Sequence, residues 1–261
     1  MSHTEFTVII PARYASTRLP GKALLDLCGK PLVQHVYERA MESGAARVIV
    51  ATDDDRIARI AATFGADVEM TSPAHASGTD RLAEVVSRRS LNDAAVVVNL
   101  QGDEPMMSAA VIRQVAGLMQ SHHSCMMATV CERIESPADV FDPNIVKVVM
   151  SNGGEALYFS RAPVPWARDS FADANRRSLP ETQRFYRHIG LYAYRAGFLR
   201  AFTRLPPTDL EKIEALEQLR ALQHGYRIAV AEACAATGFG VDTPADLDRV
   251  RQLMTGTPHA S

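Results

Sequence analysis

Residues 6–22 read FTVIIPARYASTRLPGK, an apolar run passing directly into a polar loop. The β-branched residues predict a buried strand over Phe6–Ile10, and Pro11, which has no N–H to give, is expected to end its ladder. The loop beyond carries Arg13, Arg18 and Lys22, with Gly21 just before the lysine. Three cations on one loop at the carboxyl end of a first strand are well placed to hold phosphates. A solvated basic loop fits the same residues. Neither G-x-x-x-x-G-K-[ST] nor G-x-G-x-x-G follows the strand, so a phosphate grip here has to come from side chains.

Outward from this stretch, strands alternate with helices. Pro31 is expected at the first position of a helix that lines up Leu32, Val36 and Ala40 and stops at Gly44. Val48–Ala51 reads as a second strand, with a helix from Asp53-Asp54-Asp55 to Phe64. Those acids resemble a D-x-D metal motif but read better as acids favoured at a helix N-terminus. Asp67–Met70 is a third strand, and Thr79–Arg89 a helix after the polar loop SPAHASGTD. Ala94–Leu100, AAVVVNL, is the clearest buried strand, and it runs straight into Gln101-Gly102-Asp103-Glu104-Pro105. The alternation predicts an α/β fold, a doubly wound and mostly parallel sheet, with ligands at the carboxyl ends of its strands.

The middle of the chain breaks this rhythm. Strand-like Ile145–Met150 and Ala156–Arg161 flank Ser151-Asn152-Gly153-Gly154, a hairpin signal. We expect residues 128–204 to form a β-rich insert on the edge of the main sheet, within a single domain spanning 1–261. Pro206 and Pro207 lead to a helix predicted to run to His224 with Leu210, Ile213, Leu216 and Leu219 as its buried stripe. Ile228–Ala231 is a last strand. Thr243-Pro244-Ala245-Asp246 then opens a C-terminal helix with a cap, Pro at its first position and an acid in its first turn.

The 261 residues are 47% hydrophobic and 22% charged, the balance of an ordinary globular protein. A net charge of -2 gives no general attraction to nucleic acid or anionic membrane, so anion binding has to be local. Without a secretory signal or an apolar stretch of transmembrane length, the expected location is the cytoplasm. Cys28, Cys125, Cys131 and Cys234 have neither C-x-x-C spacing nor a nearby histidine pair. Reduced thiols are the expectation.

Asp103 ends the central strand, where phosphates gripped by the opening loop would lie. Magnesium takes hard oxygen ligands, one or two carboxylates together with phosphates and waters. Asp242, at the end of the loop TGFGVD, is the chosen partner, because Thr243 already serves as the helix cap.

The segments IPARYASTRLPGK, SGTDRLAEVV, NLQGDEP, KVVMSNGGEALYFSRAPVPW, RHIGLYAYRAGF, LEQLR and GVDTPADL, in this order, resemble 3-deoxy-manno-octulosonate (Kdo) cytidylyltransferases. The resemblance covers nearly the whole chain, failing mainly in 168–184 and at the termini. It implies a Rossmann-like nucleotidyltransferase fold whose insert serves sugar binding and dimer contact. The implied reaction joins CTP and Kdo into CMP-Kdo and pyrophosphate for lipopolysaccharide biosynthesis, with magnesium, in a homodimer. It further implies that Ala12, Arg13, Arg18 and Lys22 meet the triphosphate and that Ser77, Gly78 and Arg81 lie near the cytidine. Asp103 and Asp242 would carry the metal, with Arg13 and Lys22 sharing the catalytic work. Gln101, Arg161, His188, Tyr192, Glu217 and Gln218 would bind Kdo. Asp80 departs from the glutamate expected of the family.

The residues themselves speak to part of this. In RHIGLYAYR, alternation puts His188 and Tyr192 on one strand face, though a purely structural face has the same spacing. Arg161 follows Leu157 and Phe159 on their face, where a charge is costly unless an anion meets it or the side chain bends outward. Glu217 would stand one turn after Ile213, able to accept sugar hydroxyls or pair with a cation. Other readings are transfer to a related acidic sugar such as sialic acid or an 8-amino Kdo analogue, a catalytically silent nucleotide binder, and a metal-dependent glycosyltransferase. The last needs a D-x-D at a strand end, and QGDEP offers one Asp.

Overall fold

The computed structural model describes residues 5–15, 19–75, 77–173, 178–180 and 184–256. Strand β1 (Phe6–Ala12) is followed by a 3-10 turn at Lys22–Leu24, a small hairpin of β2 (Asp26–Leu27) and β3 (Lys30–Pro31), and α1 (Leu32–Glu42). Next come β4 (Arg47–Thr52), α2 (Asp55–Thr63), β5 (Asp67–Met70), α3 (Gly78–Arg88), β6 (Val96–Asn99) and α4 (Ala109–Ser121). The chain continues with β7 (Met127–Arg133), α5 (Pro137–Phe141), β8 (Lys147–Met150), β9 (Ala156–Ser160) and β10 (Tyr186–Arg195). It closes with α6 (Ala196–Phe202), α7 (Asp209–Glu214), α8 (Gln218–Gln223), β11 (Ile228–Glu232) and α9 (Pro244–Thr255).

The main sheet has the order β11-β7-β10-β6-β1-β4-β5. Strands β6, β1, β4 and β5 are parallel, as are β11 and β7, while β10 runs antiparallel to both its neighbours. Side chains alternate between two cores. Val8, Ile10, Val50 and Val98 pack with α1, α2 and α4 on one face, and Ile9, Ile49 and Val97 pack with α3, α6 and α8 on the other. Both faces are therefore dry, which is why these strands read as continuous apolar runs. No helix among the described residues is long and apolar enough to cross a membrane. Cys125 and Cys131 are buried free thiols.

Three expectations are corrected. Pro11 does not end β1, which pairs with β4 through Ala12. The Ile9 carbonyl accepts from Leu100 N on the β6 side. Pro11, two residues on, turns its missing N–H to that same side, beyond the last β6 pairing, so no ladder bond is lost. Residues 128–204 are not confined to an edge, because β10 lies inside the sheet and, among the described residues, only the β8–β9 hairpin branches from it. The helix predicted from Thr208 to His224 is two helices, α7 and α8, broken at Ala215 with φ 51°. Ile213, expected in the buried stripe, is 81% exposed, whereas Leu216 and Leu219 are buried.

Candidate active site

Parallel β1 and β6 release their carboxyl ends side by side, and the loops that follow enclose a cleft of about 250 Å³. Gly21, at φ 68°, donates its N–H to the Tyr14 carbonyl at 3.0 Å and so folds the basic loop back on itself. Lys22 is thereby brought to the mouth of the cleft. Its Nζ lies 2.6 Å from Asp103 Oδ2 and 3.0 Å from Asp242 Oδ1. Burial opposes the ammonium, but the two carboxylates outweigh it and hold the Lys22 pKa above the usual lysine range.

Asp103 follows the last residues of β6, beside Gly102, where a Cβ would come 2.7 Å from the Pro11 carbonyl oxygen. Only glycine allows this approach between the two strand ends. Asp242 arrives from the opposite side, at the start of α9, where Thr243 and Asp246 form the capping box. As expected, capping falls to Thr243, and Asp242 faces the cleft.

The cleft is also lined by Ala12, Arg13, Ser77, Gly78, Arg81 and Gln101, so the expected nucleotide contacts converge, with Gln101 among them. Arg18 lies outside the described residues. Ser77 is the N-cap of α3 in a capping box with Asp80. Asp80 Oδ2 accepts from Ser77 N at 3.2 Å and Oγ at 3.0 Å, a local task that the shorter acid performs. Arg81 is buried and pairs with Asp53 at 2.9 Å and with the Thr71 hydroxyl. Asp54 caps α2, accepting from Arg56 N at 2.9 Å, in keeping with the plain reading of those acids.

The expected sugar contacts form a second group. His188 and Tyr192 share a face of β10, their rings 5.2 Å apart. The pairing with β7 is irregular between them: Ile189 to Tyr192 is three steps on β10 against one step, Val130 to Thr129, on β7. The Thr129 hydroxyl fills this bulge, 2.9 Å from the Leu191 carbonyl, 3.0 Å from that of Ile189 and 3.1 Å from His188 Nε2. Burial pushes the His188 pKa down to about 3, so its imidazole is neutral near pH 7.

Glu217 precedes α8, and burial raises its pKa. It accepts from Thr79 Oγ1 at 2.6 Å. Thr79 and Asn99 adjoin the Tyr194 hydroxyl, and Gln101 Nε2 donates at 3.3 Å to Asn99, which stands opposite Tyr192 in the register. This network joins the cleft wall to the β10 face. Gln218 Nε2 is buried and has no hydrogen-bond partner among the described residues.

Arg161 does not line the cleft. Its Nε donates to the Glu214 carbonyl at 2.7 Å and its Nη1 to that of Pro143 at 2.9 Å. The charge is met by backbone oxygens, and the face is not the closed apolar one expected, since Leu157 is 61% exposed. Beneath it, fully buried Lys147 spends its three N–H donors on the carbonyls of Asp142, Ile145 and Arg161 at 2.8, 2.6 and 2.7 Å. Sequence reasoning missed Thr79, Asn99, Tyr194 and Glu104. Tyr194 was findable, since it continues the alternation of His188 and Tyr192. Glu104 adjoins Asp103; burial and the charges of Asp103 and Asp242 push its pKa up to about 7.

Two carboxylates and a lysine at one point, with further cations and small residues around them, suit a polyphosphate ester and a bound cation. Among the described residues there is no cluster of three or more His, Cys, Asp or Glu side chains that would hold a metal unaided. Residues 7–228 match the cytidylyltransferase family. The chain is 57% identical over 251 residues to the 3-deoxy-manno-octulosonate cytidylyltransferase of Hahella chejuensis, covering 96% of this chain and 98% of that protein. To the protein of the same name from Vibrio cholerae it is 55% identical over 250 residues, with the same coverage. The solved structure of CMP:2-keto-3-deoxy-manno-octonic acid synthetase complexed with CTP superposes with a TM-score of 0.88 at 44% identity, covering 97% of this chain and 100% of that one. With these relatives and this fold, the chain belongs to the 3-deoxy-manno-octulosonate cytidylyltransferase family.

Proposed function

We propose that the protein transfers CMP from CTP to the C2 hydroxyl of Kdo, forming CMP-Kdo and releasing pyrophosphate. The observation that carries this reading is the convergence of Lys22, Asp103 and Asp242 on a cleft whose Gln101 donates to Asn99, the residue opposite Tyr192 in the sheet register. The C2 oxygen attacks the α-phosphorus in line, the bond from that phosphorus to the bridging oxygen breaks, and the hydroxyl proton passes to solvent. Arg13 and Lys22 neutralise the β- and γ-phosphates as charge builds on the leaving pyrophosphate. Ser77, Gly78 and Arg81 bear on the cytidine, and Gln101, His188, Tyr192, Glu217 and Gln218 on the sugar. Arg161 joins them through the carbonyl network that fixes its place. Holding both substrates in register supplies on the order of 7–11 kcal/mol of the barrier reduction.

The same reading includes magnesium. Asp103 and Asp242 offer hard oxygens that already face one positive charge, the Lys22 ammonium, which fits the donor set of that ion. When bound, magnesium supplies phosphate charge neutralisation and a lowered pKa for the attacking hydroxyl. The reading also extends to a cytoplasmic homodimer, with residues 128–204 supplying sugar and dimer contacts. Leu157, Trp166 and Ile213, 61%, 55% and 81% exposed, support an apolar contact surface in and beside that segment.

Pyrophosphate release tests the substrates directly. CTP with Kdo should support rapid release, with UTP or sialic acid giving little. Faster release with sialic acid would move the protein to another acidic sugar, and tight CTP binding without turnover on any sugar would make it a silent binder.

A further inference from the structure

Glu132, near the end of β7, lies directly opposite Arg187 of β10 in the antiparallel register. Its Oε2 accepts from Arg187 Nε at 2.9 Å and also from Nη2. Its Oε1 accepts from Thr237 N at 2.9 Å and Thr237 Oγ1 at 2.8 Å. All four acceptor positions of the carboxylate are thus used, split evenly between a strand and a distant loop. Arg187 immediately precedes His188. Thr237, 3% exposed, opens the segment that ends at Asp242.

That segment is laid along the loop bearing Asp103. Gly238, at φ 79°, approaches so closely that a Cβ would come 2.6 Å from the Met106 carbonyl oxygen, and one on Gly240 would come 2.9 Å from Glu104 Oε1. Val241 N donates to the Asp103 carbonyl at 2.8 Å. From Gly238 onward the segment rests on the 103–106 loop, and its beginning is tied to Glu132.

We infer that Glu132 is a positioning residue, whose single carboxylate fixes the Asp242 segment to the sugar-facing strand and so sets the spacing of the two halves of the site. The inference rests on the proposed cytidylyl transfer for its kinetic consequence, but the anchoring itself is measurable without substrate. An amide in place of the carboxylate keeps the shape, yet turns an NH2 toward either Arg187 or Thr237, both already donors. One of the two ties is lost. Burial opposes the charge on Glu132, but the bonds from Arg187 and Thr237 hold its carboxyl below the usual glutamate range.

The test uses the full-length chain with Glu132→Gln, Thr237→Val and Thr237→Ser. Amide hydrogen exchange over 237–242 should quicken roughly tenfold or more in Glu132→Gln and Thr237→Val and return to the wild-type rate in Thr237→Ser, which restores the hydroxyl. In the same two variants, the gain in CTP affinity on adding magnesium should shrink severalfold while metal-free CTP affinity is unchanged. The kcat should fall roughly tenfold or more, with KM for CTP rising no more than the severalfold loss of magnesium-dependent affinity. Should Glu132→Gln fail to fold, the Thr237 pair decides. Wild-type exchange over 237–242, or a kcat that falls only in step with the folded fraction, overturns the inference. A wild-type protein inert toward Kdo overturns the proposed function instead, and the exchange rates still decide the anchoring.

Discussion

Lys22 and Asp103 stand 81 residues apart in sequence and are joined by a 2.6 Å ion pair. The pair exists because β1 and β6 are parallel neighbours, so that the loops leaving their carboxyl ends meet. Asp242, 220 residues from Lys22, closes the group. The charge centre is thus a product of topology, and one of its tight steric requirements falls at the seam between the two strands.

Gly102→Ala should therefore damage both stability and turnover. The new Cβ would lie 2.7 Å from the Pro11 carbonyl oxygen, a backbone atom that cannot move aside. Overpacking of this kind costs roughly 1–3 kcal/mol, and relief of the clash displaces Asp103. Thermal unfolding should show a lower Tm, and pyrophosphate release should slow by roughly tenfold or more. Wild-type values in both would show that the strand ends tolerate separation.

Much of this arrangement was legible in the sequence, for physical reasons. Strands buried on both faces leave unbroken apolar runs, and glycine, proline and capping residues mark the ends of helices, so the alternation of elements and the loops bearing Lys22, Asp103 and Asp242 could be placed. The location of β10 could not, since period-two alternation fixes a strand's faces but not its neighbours. The break at Ala215 left no signal, because alanine is the best helix former and Leu210, Ile213, Leu216 and Leu219 keep helical spacing across it. The surroundings of Arg161 left no signal, because its side-chain partners are backbone carbonyls, which are the same for every residue type.

Glu104 gives a pH signature. Its pKa is pushed up to about 7 from an ordinary 4.5. Between those values the folded chain binds a proton that the unfolded chain has lost, so stability falls as pH rises through this window and the loss is complete above about 7. Glu104→Gln in the metal-free protein should remove that decline and raise stability at pH 8 by on the order of 3 kcal/mol. Parallel Tm curves for the two proteins from pH 4.5 to 8 would contradict the assignment.

His188 titrates in the opposite sense. With its pKa pushed down to about 3 from 6.5, it contributes no loss above 6.5 and a progressive loss of stability as pH falls from there, since the unfolded chain takes the proton first. Its imidazole resonances should stay fixed between about pH 5 and pH 8 in the folded protein. A titration midpoint near 6.5 would mean a solvated ring and remove it from this partly buried face.

In the proposed homodimer, Leu157→Lys combined with Ile213→Lys should weaken self-association with little effect on folding, because both side chains are already exposed. Sedimentation velocity should move from a dimer toward a monomer, with unchanged circular dichroism. A dimer that survives both charges would place the contact elsewhere.

On the proposed function, Asp103 belongs to the reacting centre and is more than the counter-charge of Lys22. Pyrophosphate release by folded Asp103→Asn at saturating CTP, Kdo and magnesium measures this directly. The expected result is a rate roughly a hundredfold or more below wild type, with CTP still bound; near-normal turnover would leave Asp103 as a counter-charge alone.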